Sequence, residues 1–115
     1  MKVSQLRDLF GLEVVAGAEG PDRDVVDAYC GDLLSDVMAN AAPGSVWLTV
    51  QGHQNIVAVA VLKEMPAIVL VNGRLPDEEA KSKADGEGVA IMLSPMPAYQ
   101  LAGQFHEAGI GKALR

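Results

Sequence analysis

The sequence predicts an α/β fold: a small, largely parallel sheet with flanking helices, built as three successive strand-helix units after an N-terminal helix and two short strands. Three observations predict it. Two β-rich apolar runs, Ser45 to Val50 and Ala67 to Val71, are each long enough for a strand buried on both faces. Strand-like and helix-like patterns then alternate three times between Ser45 and Ala108 with short connections, the mark of a parallel sheet. Finally, half of the 115 residues are hydrophobic but only 4% are aromatic, which suits one domain over residues 1–115 with a modest aliphatic core.

Val3 to Phe10 reads as a short helix. Val3, Leu6 and Phe10 share one side, Ser4 can cap its start, and Gly11 can end it. Leu12 to Ala16 reads as a strand. Gly17, Gly20 and Pro21 break the chain before a second strand, Val25 to Cys30, which can pair antiparallel with the first. Asp32 to Ala42 is amphipathic at helical spacing through Leu33, Leu34, Val37, Met38 and Ala41, with Asp32 or Ser35 as its cap. Pro43-Gly44 stops it and hands over to the strand at Ser45.

The crossover from Asn55 to Glu64 is the ambiguous stretch. Ile56, Val57, Val59 and Val61 are β-branched, and propensity alone would make a meander with a hairpin at Gln51 to Asn55. Two features favour a helix instead. Apolar residues stand at consecutive positions without alternation, and Asn55 offers an N-cap to a span that ends in Lys63-Glu64. Downstream, Pro76-Asp77-Glu78-Glu79 suits a helix start, with acids at the positive end of its dipole, and Gly86 or Gly88 ends it. Val89 to Leu93 is a short buried strand. Pro97 opens a last helix with Leu101, Ala102, Phe105 and Ala108 as its buried stripe.

Charge and cysteine content narrow the function classes. A net charge of −6 with no basic stripe argues against nucleic acid. Lone Cys30 forms no internal disulfide, which fits a reducing cytoplasm. The opening residues, MKVSQLRDLF, lack the apolar run of a signal peptide, and no stretch reaches membrane-spanning length. His53, His106 and Cys30 stand singly, so neither a metal nor a cofactor is expected. Ser35 and Ser94 have no identifiable base, and Asp32 with Asp36 reads as a solvated helix face. No catalytic motif appears, and the chain is not read as an enzyme.

In open parallel sheets, ligands bind beyond the carboxyl ends of the strands. The residues there are Gln51, Gly52, His53, Gln54, Asn55, Asn72, Gly73, Arg74 and Ser94. They offer the parts of a small-anion or nucleotide site: amides at a helix start, a glycine allowing close approach, and a guanidinium. Neither GxxxxGK[ST] nor GxGxxG is present, and the plain alternative is a turn at Asn72-Gly73, a cap at Asn55 and a solvated Arg74. Self-association is the other expectation, because half of so small a chain is apolar. The strand Val25 to Cys30 and the helix after it supply the interface candidates Tyr29, Leu33, Leu34, Val37 and Met38. Trp47 is read as core first.

Three phrases, DLLSDVMANA, WLTVQGHQN and IVLVNGRLPDEE, carry a resemblance to the DRTGG domain family over nearly the whole chain. These small α/β modules occur alone or attached to CBS domains and to enzymes such as phosphotransacetylases, and N-terminal domains of HPr kinase/phosphorylase look similar. Of the residues that name the family, Gly73 is retained. His53-Gln54 stand near the Asp-Arg position, and Val71-Asn72-Gly73 replace Thr-Gly-Gly. The resemblance implies a helix at Asn55 to Glu64 and a regulatory, non-catalytic module. It also implies a homodimer that acts on a partner enzyme or kinase.

Overall fold

The structure is a computed structural model and describes residues 1–112. Its elements, in chain order, are α1 (Val3–Phe10), β1 (Glu13–Ala16), β2 (Asp27–Cys30), α2 (Leu34–Asn40), β3 (Ser45–Thr49), α3 (Asn55–Leu62), β4 (Ala67–Leu70), α4 (Glu78–Glu87), β5 (Ala90–Leu93) and α5 (Ala98–Glu107). The strands form one five-stranded sheet in the order β1-β5-β4-β3-β2. β2 to β5 run parallel, with Trp47 opposite both Tyr29 and Ile68, and β1 closes the far edge antiparallel to β5. The α/β class and the three strand-helix units are those the sequence predicts.

Every residue of β3 and β4 is buried. Side chains alternate between faces along a strand, so a strand apolar at every position needs cover on both sides. On one face Trp47, Ile68 and Ile91 pack beneath α2, α3 and α4 through Val37, Ile56, Val57, Ala60, Ala80 and Ala84. On the other, Val46, Leu48, Val69 and Met92 meet Leu6 of α1 with Leu101 and Phe105 of α5.

α3 shows why burial overrides propensity. A β-branched residue costs a helix up to about 0.7 kcal/mol relative to alanine. Burying a valine or isoleucine side chain gains about 1.5–3 kcal/mol. Ile56, Val57 and Val59 are buried, and the gain exceeds the cost several times over.

The same helix ends on a non-glycine residue held left-handed. Glu64 has φ of 55°, its N–H donates to the Val61 carbonyl (3.2 Å), and the Met65 N–H donates to the Ala60 carbonyl (2.8 Å). That is a Schellman closure, a place glycine usually fills. α1 and α4 end with glycines in that conformation, Gly11 and Gly88.

Several expectations change. β1 and β2 do not pair with each other; they lie at opposite edges of the sheet. Four inter-strand steps span about 19 Å, and the segment 17–26 can reach roughly 33 Å when extended. It is fastened across the strand starts: Val25 N–H donates to the Met1 carbonyl (2.7 Å), Arg23 Nη2 to the Met65 carbonyl (3.1 Å), and Val26 N–H to the Gly44 carbonyl (3.0 Å).

The caps also differ. Lys2 stands at the N-cap of α1, while Asp22 accepts from the Ser4 backbone N–H (2.9 Å) and hydroxyl, capping the helix from outside. Leu33 holds the N-cap position of α2, because Asp32 is engaged elsewhere and Ser35 lies within the helix. Gln54 precedes α3, and Asn55 is its first residue. Pro97 takes the N-cap position of α5, and Ala108 is exposed at the far end instead of joining the buried stripe.

Two predictions follow from these ends. An L-residue held left-handed costs roughly 1–2 kcal/mol, and glycine returns about 0.5–1 kcal/mol of that as extra chain entropy in the unfolded state. Glu64→Gly should therefore raise stability by a few tenths to about 1 kcal/mol in urea unfolding. A fall in stability would contradict the closure. The second concerns Asp22, whose carboxyl is held below the usual range first by the Ser4 hydroxyl and then by the Ser4 N–H. A depressed carboxyl adds stability above its unfolded pKa and loses it as the pH falls through the folded one. The advantage of wild type over Asp22→Asn should thus shrink on acidification below the ordinary aspartate range, read as converging urea midpoints.

Candidate functional site

The chain leaves β4 for α4 on one face of the sheet and β5 for α5 on the other. Adjacent strands that send their helices to opposite faces open a crevice where such sheets hold ligands. Here backbone hydrogen bonds zip that crevice closed. The Asn72 N–H donates to the Met96 carbonyl (3.0 Å) and the Gly73 N–H to the Ser94 carbonyl (3.1 Å). Asn72 and Gly73 are both left-handed (φ 58° and 67°), and the Arg74 N–H returns to the Val71 carbonyl (3.1 Å). Two consecutive left-handed residues make the tight turn that Asn-Gly favours.

The neighbouring strand end is tied down as well. Asp32, just past β2, accepts through one oxygen from Thr49 Oγ1 (2.8 Å) and the Val50 N–H (2.9 Å). Gln51 donates from its N–H to Thr49 Oγ1 (3.2 Å) and from Nε2 to the Asp32 carbonyl (3.1 Å). At the start of α3, Asn55 N–H donates to His53 Nδ1 (3.2 Å), Ile56 N–H to the His53 carbonyl (3.1 Å), and Val57 N–H to the Gln54 carbonyl (3.1 Å). With Nδ1 accepting, a neutral His53 carries its proton on Nε2. Gly52 brings this loop against the entry of α4: its carbonyl accepts from the Asp77 N–H (2.8 Å), and a Cβ on it would stand 2.6 Å from the Leu75 carbonyl oxygen.

The predicted site residues therefore share one end of the sheet in two conditions. The side chains of His53, Gln54, Asn55, Asn72 and Arg74 are exposed, and Arg74 makes no side-chain hydrogen bond or ion pair among the described residues. The amides of Gln51, Asn55, Ile56, Val57, Asn72, Gly73 and Arg74 already donate inside the protein. Ser94 is buried, and its Oγ accepts from the Met96 N–H (3.1 Å), so it serves the turn. Among the described residues no group of three or more His, Cys, Asp or Glu is placed to hold a metal ion, and no helix is long and apolar enough to cross a membrane.

The interface candidates divide in a similar way. Val37 is fully buried in its own core, and Leu34 and Tyr29 pack against that core. The Tyr29 hydroxyl donates to Asp36, which pushes its pKa up, and Asn40 Nδ2 donates to the same carboxylate (2.9 Å). Leu33 (67% exposed) and Met38 (37%) face solvent. Sequence reasoning passed over the exposed residues of α3, Val61 (41%) and Leu62 (70%), because an all-apolar helix reads as wholly buried.

It also passed over the opposite end of the sheet. There a cleft of about 210 Å³ lies where the parallel strands begin, between α1, the segment after β1, and Pro66. Its residues are scattered along the chain, and the Gly17-to-Pro21 break is the sole local hint.

No protein-family model matches the sequence, and no curated protein matches it. Among solved structures, the chain is similar to the CBS and DRTGG domains of the regulatory region of Clostridium perfringens pyrophosphatase, complexed with the activator diadenosine tetraphosphate. The TM-score is 0.63 at 14% identity over 88% of this chain. The chain spans 44% of that one's length, and the likeness is one of fold. It agrees with the DRTGG-like fold read from the sequence.

The strand-end network makes one prediction. Asp32→Ala leaves the buried Thr49 hydroxyl and the Val50 N–H without their acceptor, and should cost about 1–3 kcal/mol. Arg74→Ala, at an exposed side chain without a partner, should stay within about 0.5 kcal/mol of wild type. Urea midpoints of the two variants check the contrast.

Proposed function

We propose that this chain is a non-catalytic regulatory module of the DRTGG type, a single interaction domain that acts as a cytoplasmic homodimer. The observation that carries this reading is the outer surface of α2 and α3. α3 has no charged residue from Asn55 to Leu62, yet Val61 and Leu62 are exposed, and α2 in turn exposes Met38, with Leu33 exposed at its N-cap. Exposed apolar side chains on an uncharged helix suit an interaction site. In a chain of net charge −6 the two copies repel at a distance, so the charge-free surface of α3 is the part on which they can meet, with Asp36 of α2 engaged by Tyr29 and Asn40. α4, by contrast, carries charges of both signs along EEAKSKADGE and suits solvent. The exposed thiol of Cys30 fits a reducing compartment.

A small-anion sensor at the strand ends is the alternative. It would rest on Arg74 and the exposed side chains of His53, Gln54, Asn55 and Asn72. Because the amides of Asn55 to Val57 and of Asn72 to Arg74 are engaged within the protein, the interaction reading has the stronger support. Regulation would then pass through a partner enzyme or kinase held by the dimer.

The test is sedimentation of wild type beside Met38→Glu and Leu62→Glu. Each change places its charge twice in a two-fold interface, so both variants should sediment as monomers while circular dichroism stays native. Wild type sedimenting as a monomer at micromolar concentration would overturn the homodimer.

A further inference from the structure

The cleft at the strand starts has no part in the interaction face, and its chemistry is specific. Val3, Val14, Pro66 and Ala90 give it an apolar floor. Two oppositely charged groups line it near one another, Arg7 on α1 and Asp22 on the segment after β1, which is bonded to Ser4 one turn before Arg7. Arg7 spends Nε on Asp8 (2.8 Å), and its two terminal nitrogens make no hydrogen bond among the described residues. Those two nitrogens form the fork that matches a carboxylate. Asp22 accepts from the Ser4 N–H and hydroxyl, one bond to each oxygen, and a carboxylate offers about four lone-pair sites in all.

The wall is fixed backbone. Gly17 N–H donates to Asp85 Oδ1 (2.7 Å), and a Cβ on Gly17 would stand 2.0 Å from the Val89 carbonyl oxygen. Gly20 presses on Gly88 in the same manner, its Cβ position lying 2.8 Å from Gly88 Cα. The segment cannot settle into the cleft without breaking these contacts.

From this geometry we infer that the cleft binds a small aliphatic α-amino acid, with its carboxylate on Arg7, its ammonium on Asp22, and its side chain on the apolar floor. Size and sign both select that class. The recessed volume is about 210 Å³, below the roughly 300–1,000 Å³ of sites for drug-sized ligands, so it suits a small ligand. A plain anion would meet Asp22 and Asp8 beside Arg7, and a plain cation would meet Arg7. A zwitterion pairs with both.

The experiment is an amide-resolved NMR titration of the full chain with L-valine, isovalerate and isobutylamine, which keep both charges, only the carboxylate, and only the ammonium. L-valine should shift the Gly17, Gly20 and Gly88 amides saturably, and each analogue should bind at least about tenfold more weakly, since one charge-assisted contact is lost. Arg7→Gln, folded by circular dichroism, should weaken L-valine by a similar factor, about tenfold. Three results would overturn the inference: no saturable shift of those amides with L-valine, isovalerate binding as tightly as L-valine, or Arg7→Gln binding as tightly as wild type. The analogue series uses the unaltered protein and decides the matter even if the variant is unstable. The oligomeric state has no bearing on it.

Discussion

The two-sided burial of β3 is the constraint on which the rest depends. Ser45 to Thr49 has no exposed position, so the strand can exist only between two helical layers. The three crossovers α2, α3 and α4 supply one layer, because each lies between consecutive parallel strands. The second layer must come from outside those units. α1 and α5, the first and last helices, provide it with Leu6, Leu101 and Phe105. Phe10 and Phe105 meet there, ring centroids 4.7 Å apart. The ends of the chain are thus structural, and the N-terminal third, which differs in texture from the repeating units, is needed to finish their core.

A parallel sheet leaves backbone donors and acceptors at its strand ends, and buried ones must be paired. This protein pairs them with itself. One aspartate, Asp32, serves Thr49 and Val50, Gly52 serves the entry of α4, and the turn at Asn72-Gly73 is bonded to residues 94 and 96. Amides that a ligand can use in such sheets, those of Val50, Asn55 and Asn72 to Arg74, here hold loops together. Exposed polar side chains at such a place therefore carry less functional weight than their types suggest.

Strands buried on both faces and a crossover between them were legible because their signals are local and redundant. α3 was legible in kind, since seven apolar residues in succession leave no alternation for a surface strand, although its outer exposure was not. Pairing of β1 and β2 was illegible. Both are short, edge-like runs, and nothing in Glu13–Ala16 or Asp27–Cys30 states that the link between them crosses the whole sheet. The capping roles failed for a related reason. Ser4, Asp32 and Asn55 have the right chemistry for a cap, but longer-range partners, Asp22 for the first and Thr49 for the second, set their use. Helix phase decides which of Leu33 and Leu34 turns inward, and adjacent leucines leave the choice open. For the strand-end site, residue types and neighbourhood were legible. The engagement of its amides depends on loops that meet only after folding.

Segment 17–26 links the cleft at the strand starts to the end of α3. It carries Asp22 and Gly17 in the cleft, and through Arg23 Nη2 it bonds the carbonyl of Met65, just past the Schellman turn that ends α3. Val61 and Leu62 lie in the last turn of that helix. A displacement of the segment on ligand binding would therefore reach the exposed apolar face through one hydrogen bond and one helix terminus, without disturbing the buried strands. Such a route becomes coupling only if the segment or the α3 terminus has two arrangements that both sites bias. A left-handed glutamate is less favourable than the glycines that close α1 and α4, so the α3 terminus is held against a local backbone cost by its two hydrogen bonds and the burial of Met65.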